Sequence, residues 1–269
     1  MGRYRIMGIL NVTPDSFYDG GRYAEPGRAI ERAYRMRDEV ADIIDIGGES
    51  TRPGSRPVPE QEEIDRVCPV IEAVARDIGV PLSVDTSKAA VARAALAAGA
   101  TIINDISGLS FDEGMAGTAA AGGAGLVIMH IRGRPETMQE DPRYGSLVAE
   151  ICGFLAAAAR KAMNAGVACE KIIVDPGIGF GKTLEDNYVI LQNIREFGKL
   201  GFPVLVGLSR KSLIGRLYDR DEDRLPATIA LNTAALLSGA AIIRVHDVKE
   251  HRLALAGLEM LAGVAQRDA

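Results

Sequence analysis

Short apolar runs of strand length recur along this chain at near-even spacing, and that recurrence narrows the possible folds more than any other feature. They occupy residues 4–10, 42–46, 82–84, 101–103, 126–129, 172–174, 204–206 and 242–245. Most are continuous and rich in Val and Ile, as expected of parallel strands covered on both faces. Helical patterns lie between them. Ile64, Val67, Ile71, Val74 and Ile78 step by three or four along one helix face, and Pro69 inside that pattern predicts a kink or a late start. Residues 89–98 are alanine-rich and stop at Gly99, and 146–165 is a long amphipathic stretch that stops at Gly166. Stretches 184–197, 227–238 and 248–264 complete the series. Eight strand–helix units in 269 residues is the count for an α/β fold of the (β/α)8 TIM-barrel type, whose usual size is about 250 residues. An open doubly wound sheet is the alternative. No polar linker or change of composition divides the chain, so one barrel domain over residues 1–269 is expected.

A hydrophobic content of 47% beside 25% charged residues supplies enough apolar side chains for a large core. The net charge of −5 argues against a nucleic-acid groove, which needs a basic face. Cys68, Cys152 and Cys169 are odd in number and far apart, so neither a disulfide framework nor a zinc knuckle is expected. No apolar run reaches the ~18 residues of a membrane span. The N-terminal residues lack the h-region and cleavage site of a leader, and Ile6 stands where N-myristoylation needs Ser or Thr. A reduced, cytoplasmic setting without a membrane partner is the expectation.

Three connections are longer than the rest, at 11–23, 50–59 and 131–144. In a barrel of this kind, long loops after strands lie on the face that carries active sites. The strand ends read, in order, Asn11; Asp45 with Gly47 and Gly48; Asp85; Asn104 with Asp105; His130; Asp175; Ser209 with Lys211; and His246 with Asp247. An Asp or Asn in such a place also serves as a cap for the next helix, and Asp247 fits that role best. Polar groups at all eight ends resemble a concave site lined by converging side chains. His251, within the last helical stretch, reads as a surface residue.

The stretch D-P-G-I-G-F-G-K at 175–182 imitates two nucleotide motifs and satisfies neither. A phosphate-binding P-loop needs Gly where Pro176 stands, and the dinucleotide fingerprint needs Gly where Lys182 stands. The glycines suit close approach of backbone to a flat ligand, and Phe180 either walls that site or packs in the core. Asp85, Asn104 and Asp175 supply two acceptor-only groups and one amide. Such a set suits a planar ring with adjacent N–H donors, such as an amino-pyrimidinone edge. Lys211 is placed to face that ring's carbonyl or ring nitrogen. Arg52, Arg244 and His246 make an anion site, most simply for phosphate groups. No H-x-x-x-H spacing builds a metal cage. A Mg²⁺ held mainly by a substrate's phosphates fits, with Asn11 as the protein contact.

The motifs then become specific in combination. They are G-I-L-N-V-T-P-D-S-F-Y-D-G-G (8–21), D-I-G-G-E-S-T-R-P-G (45–54), S-V-D-T-S-K (83–88), I-N-D-I-S-G (103–108), M-H-I-R-G-R-P-E-T-M-Q (129–139), D-P-G-I-G-F-G-K (175–182), G-L-S-R-K-S (207–212) and R-V-H-D (244–247). In this order they resemble the dihydropteroate synthases from end to end. The resemblance implies condensation of 6-hydroxymethyl-7,8-dihydropterin diphosphate with 4-aminobenzoate to 7,8-dihydropteroate and diphosphate, in folate biosynthesis, at a site for which sulfonamides compete. By position it implies pterin binding by Asp85, Asn104, Ile106, Met129, Asp175, Phe180, Gly207 and Lys211. It implies diphosphate and Mg²⁺ binding by Asn11, Arg52, Arg244 and His246, and an aminobenzoate subsite from Phe17, Thr51, Pro53, Ser209 and Lys211. Asp85, Asp175, Lys211, Arg244 and His246 are the expected catalytic set, and a homodimer through the late helices is implied. Two departures fall in loops: H-I-R-G-R-P stands where the family more often has H-M-Q-G-x-P, and Tyr18 where Ser is frequent.

The expected chemistry is loss of diphosphate before attack by the amine. Arg244, His246 and Mg²⁺ would meet the charge on the leaving group, and Asp85 and Asp175 the charge on the pterin. A pterin-binding methyltransferase acting on methyltetrahydrofolate is the alternative, and it would not need Arg52, Arg244 and His246. A sugar-phosphate lyase using Lys211 as a Schiff-base amine and a non-catalytic pterin-binding homologue are more distant readings.

Overall fold

The computed structural model describes residues 4–13, 25–215 and 224–265. Strands and helices alternate as β1 (Arg5–Asn11), α1 (Glu25–Asp38), β2 (Ile43–Gly47), α2 (Glu60–Val74), β3 (Leu82–Asp85), α3 (Ala89–Ala98), β4 (Ile102–Asp105), α4 (Met115–Ala121), β5 (Gly125–Met129), α5 (Leu147–Asn164), β6 (Ile172–Asp175), α6 (Leu184–Gln192), α7 (Ile194–Gly198), β7 (Leu205–Val206), α8 (Ser212–Gly215), α9 (Arg224–Leu237), β8 (Ile242–Val245) and α10 (Val248–Ala265). All strand pairs are parallel, in the order β6-β5-β4-β3-β2-β1-β8-β7. A single bridge between Val174 and Val204 joins the two ends, with the Val174 N–H donating to the Pro203 carbonyl at 3.0 Å. The sheet therefore closes on itself, and the fold is a (β/α)8 barrel rather than an open sheet.

Successive side chains on a strand point to opposite faces, and the two faces are both apolar here. Ile6, Leu10, Ile44, Ile46, Leu82, Val84, Ile103, Leu126, Ile128, Ile172, Val174, Val206, Ile243 and Val245 pack outward against the helices in one continuous core. Met7, Ile43, Val127, Leu205 and Ile242 fill the cylinder, with Ile102 and Ile173 packed against them. This double burial is why the strands read as unbroken apolar runs.

Three helices lie where apolar spacing predicted none: α1, α4 and the four-residue α8. α1 buries Ala29, Ala33 and Met36, a narrow stripe on an otherwise charged helix. α4 is built from small residues and buries Met115, Ala116, Thr118 and Ala119. α2 runs unbroken through Pro69 from Glu60, so the late start does not occur. Stretch 184–197 divides at Asn193, whose backbone leaves the helical region at φ −113° and ψ 23°. Its side-chain Nδ2 donates back to the Val189 carbonyl at 2.8 Å. His251 is a correction: it is buried, not at the surface. It lies between α9 and α10, where Asn232 Nδ2 is 2.9 Å from its Nε2 and the Asp247 carbonyl is 2.7 Å from its Nδ1. The Asp247 carboxylate pairs with Arg210 Nη2 at 2.7 Å rather than with a helix N–H. Cys68, Cys152 and Cys169 are free thiols.

Candidate active site

The site begins one layer above the apolar plug. Two residues beyond Met7, Ile43, Ile102, Val127, Ile173, Leu205 and Ile242, on the same inner face, come Ile9, Asp45, Asn104, Met129, Asp175, Gly207 and Arg244. β3 adds Asp85, whose Cα pairs with Asn104 on one side and Gly47 on the other. The strand period thus converts a filled cylinder into a polar mouth within one step.

Arg244 organises the centre. Its Nε donates to Asp45 Oδ2 and its Nη2 to Asp85 Oδ2, each at 2.6 Å. Asn104 Nδ2 donates to the same Asp45 oxygen at 2.9 Å. Burial alone would lower the guanidinium, but Asp45 and Asp85 outweigh it and hold Arg244 above its ordinary value. Burial pushes the Asp85 carboxyl up to about 7 against the pull of Arg244. Asp45 Oδ1 and Asp85 Oδ1 are buried and accept no hydrogen bond from the described residues. Buried acceptors are normally satisfied, so the Asp85 oxygen in the mouth is suited to a donor carried by a ligand. Gly47 keeps the space beside it open: a Cβ there would stand 3.7 Å from Asp85 Oδ2 and 3.8 Å from Asn11 Oδ1.

Asp175 and Lys211 form a second group. Asp175 Oδ1 accepts the Gly177 N–H at 2.7 Å, and burial raises the carboxyl while Lys211, that N–H and Lys182 oppose the rise. Lys211 donates to the Ile178 carbonyl and lies 4.5 Å from the centre of the Phe180 ring. Burial lowers its amine to about 8, with Asp175 pulling it back up. Gly207 separates Lys211 from Arg244, since a Cβ there would meet Arg244 Cβ at 3.7 Å and Lys211 Nζ at 3.8 Å. Ile106, Met129, Ile131, Met138 and Phe180 pack as one apolar cluster beside this group.

The glycine loop after β6 lies flush on the chain leaving β5. Gly177 has φ +70°, and a Cβ on it would fall on the His130 carbonyl oxygen; Gly181, at φ +63°, would strike that of Arg132. The departure at Arg132 has a local role. Its guanidinium sits 4.0 Å over the Tyr144 ring and bonds Glu150 at 2.6 Å, and the Tyr144 hydroxyl donates to the Gly181 carbonyl at 2.7 Å. His130 directly follows β5 and turns to contact Lys182, and burial lowers it to about 3.

His246 and Ser209 form the third group. Ser209 Oγ accepts the His246 N–H at 3.2 Å and lies 2.9 Å from His246 Nδ1. Burial, with Arg210, Arg244 and Arg52 nearby, lowers the imidazole to about 3. A neutral ring whose Nδ1 takes the serine proton presents Nε2–H as its free donor. Arg52 is exposed, and its charge acts on His246 through space.

The second loop is tied at both ends by Glu49, whose Oε2 takes the Val58 N–H at 2.8 Å and the Lys88 amine; Lys88 also grips the buried Glu63. Beyond Thr51 and Pro53, the Gly54 N–H donates to the Pro135 carbonyl at 3.1 Å. The loop tip therefore leans on the fifth-strand side. A cavity of about 190 Å³ beneath it is lined by Glu49, Lys88, Ile106, Phe111, Arg134 and Pro135 among others. Phe17 and Tyr18 lie outside the described residues.

Of the expected residues, Asp85, Asn104 and Arg244 share one network, as do Asp175, Phe180 and Lys211, and Ser209 with His246. Asn11 lies over Gly47 beside Asp85. Thr51 and Pro53 are joined to none of these three groups by a hydrogen bond or ion pair among the described residues. Two residues had no assigned role: Asp45, which the two-residue period of β2 places inside, and Lys182, for which the sequence carries no burial signal.

A closed parallel barrel whose mouth gathers buried carboxyls, a buried amine and a guanidinium defines the kind of enzyme site that binds a small polar ligand. The family of pterin binding enzymes matches residues 7–246. The dihydropteroate synthase of Escherichia coli is 48% identical over 246 residues, covering 91% of this chain and 87% of that protein. A Yersinia pestis dihydropteroate synthase in complex with a sulfonamide drug superposes with a TM-score of 0.91 at 46% identity, covering 97% of this chain and 95% of that one. One from Xanthomonas albilineans with 4-aminobenzoic acid gives 0.90 at 43% identity, over 97% and 93%. The chain belongs to the pterin-binding enzyme family.

Proposed function

We propose that this chain condenses 6-hydroxymethyl-7,8-dihydropterin diphosphate with 4-aminobenzoate to give 7,8-dihydropteroate and diphosphate, as a dihydropteroate synthase in folate biosynthesis. The observation that carries this reading is the pairing of two kinds of group in one mouth. Asp85 and Asp175 are buried acceptors for ring N–H donors, and Lys211 is a buried donor for the ring carbonyl or nitrogen. Arg244 spends two of its five N–H donors on Asp45 and Asp85, which leaves others for an anion.

In this reading the C–O bond to diphosphate breaks before the amine attacks. Arg244 and the Nε2–H of His246 meet the charge that builds on the leaving oxygen, with Arg52 arriving from the second loop. Asp85 and Asp175 face the cation that develops on the pterin. Neutral arylamine attacks the methylene carbon and then loses its proton, so no strong base is required. Ile106, Met129 and Phe180 exclude water from the ring. Thr51, Pro53 and Ser209 shape the aminobenzoate subsite.

Mg²⁺ is part of the proposal. Among the described residues no cluster of three His, Cys, Asp or Glu side chains forms a cage. A neutral amide oxygen at Asn11 suits an ion held chiefly by phosphate oxygens and water. Bound there, the ion would act as a Lewis acid on the diphosphate.

The methyltransferase alternative is not favoured, because it leaves Arg244 and His246 without an anion to hold. We further propose one barrel domain, a cytoplasmic location and a homodimer. No helix among the described residues is long and apolar enough to cross a membrane. Leu237, Leu253 and Met260 on α9 and α10 are more than half exposed, at 53%, 68% and 72%, which supports a partner surface on these helices. Diphosphate release measured with both substrates, with and without Mg²⁺, tests the activity. Release that ignores 4-aminobenzoate, or no release, would refute it.

A further inference from the structure

Every carbonyl from Gly177 to Gly181 accepts a hydrogen bond. The donors, in order, are Phe180 N at 3.1 Å, Lys211 Nζ, Gln139 Nε2 at 2.9 Å, Lys182 Nζ at 2.9 Å and the Tyr144 hydroxyl at 2.7 Å. Four of these donors are side chains, and three of the four are outside the mouth. Lys182 is the most costly of them. Its side chain is buried, at 2% exposure, and no carboxylate pairs with it directly among the described residues. Its Nζ has three acceptors: the Phe180 carbonyl at 2.9 Å, His130 Nδ1 at 3.0 Å and the His130 carbonyl at 3.3 Å. Burial pushes this amine well below its ordinary value against the pull of Asp175, and in either protonation form it has N–H donors for the Phe180 and His130 carbonyls.

A buried amine held in this way is a poor source of stability, because desolvation offsets most of what the contacts return, and an apolar side chain of similar length often serves the fold as well or better. Its geometry points to another use. The amine joins Phe180, within the glycine loop after β6, to His130, the first residue beyond β5. It thereby fixes the one segment that carries both Asp175 and the Phe180 wall. We propose that Lys182 is a positioning residue for pterin binding: from behind the loop it clamps the Phe180 carbonyl to β5 and holds Asp175 and Phe180 at the spacing a pterin requires. This inference rests on the proposed function.

The test uses the full chain with Lys182→Met, which keeps length and removes the donors. Calorimetric titration with the pterin diphosphate and Mg²⁺ is expected to show roughly tenfold weaker binding, the upper end of what one neutral hydrogen bond is worth. The KM for 4-aminobenzoate at saturating pterin is expected to stay within about twofold, and the melting temperature not to fall, since Met suits a buried site. Lys182→Gln, which keeps an N–H for the Phe180 carbonyl, is expected to recover most of the affinity. Lys182→Leu takes the place of the Met variant should that one not fold. Unchanged pterin affinity in the donor-free variant, or a Gln variant no better than it, overturns the clamp. Failure of the unaltered chain to bind pterin would overturn the functional reading and the clamp together, whereas binding by both chains alike overturns the clamp alone.

Discussion

Asp175→Asn examines the floor of the mouth with the smallest change of shape. The asparagine oxygen can still accept the Gly177 N–H now held at 2.7 Å by Oδ1, so the glycine loop keeps its fastening. The other carboxylate oxygen becomes an NH2 group, which meets a ring donor with a donor. A hydrogen bond to a charged group is worth about 1.5–3 kcal/mol, so pterin affinity should fall by roughly tenfold to a hundredfold. A second loss adds to the first. Asp175 is the main group holding the Lys211 amine at about 8 against burial. An amine at that value is mostly charged at neutral pH. Without Asp175 its value drops and the charge with it. Acid restores that charge, so the ratio of variant to unaltered Kd should shrink as pH falls from 8 to 6. Calorimetric titration with the pterin diphosphate at three pH values reads both parts. Unchanged affinity at neutral pH would refute the acceptor role, and a ratio independent of pH would refute the coupling to Lys211.

Three further outcomes follow from the same geometry. Asp45→Asn removes the charge that receives both Arg244 and Asn104, and a loss of about 1.5–3 kcal/mol should lower the melting temperature by roughly 3–12 °C in a chain of this size; an unchanged melting temperature would mean that Asp85 alone holds Arg244. Lys211 in the fold sits near 8, below its ordinary 10.5, so between those values the unfolded chain binds more protons and stability rises with pH; denaturant titrations of Lys211→Met should show that rise diminished, and an identical profile would contradict the burial of a titrating amine. Ser209→Ala frees His246 Nδ1 from its partner at 2.9 Å, and kcat/KM for diphosphate release should drop by about twofold to twelvefold, the worth of one neutral hydrogen bond; full activity would show that the serine does not set the imidazole.

The barrel was legible because both faces of every strand are buried, which leaves long Val- and Ile-rich runs that nothing else on the chain resembles. α1 and α4 were not, because each buries a single methionine, Met36 or Met115, beside small residues, and one large side chain does not mark a period. Pro69 misled in the other direction, since packing of Val67, Val70, Ile71 and Val74 carries α2 past it. In the site, polar residues at strand ends pointed to Asp85, Asn104 and Asp175 because each follows an apolar run, and Arg244 stood out as a charge inside one. Asp45 sits in the middle of β2, and its two-residue offset from Ile43 could have assigned it. His130 carried the strand-end signal, yet the glycine loop pressed on its carbonyl leaves the ring facing Lys182. Nothing local marks Lys182 or His251 as buried. Each depends on an acceptor or amide brought by a distant element, and such partners become visible only once the chain is folded.

One seam of the cylinder is unlike the others. Seven neighbouring pairs of strands share a ladder, but β6 and β7 meet through the single bridge Val174–Val204. Asp175 stands at the end of β6, and Lys211 follows β7, so the two residues proposed to grasp the pterin lie on opposite sides of that gap. A ring bound between them acts as an added rung, closing the hoop where the backbone does so least. Substrate would then complete the architecture that recognises it, and the empty barrel would be the looser of its two states at this one seam.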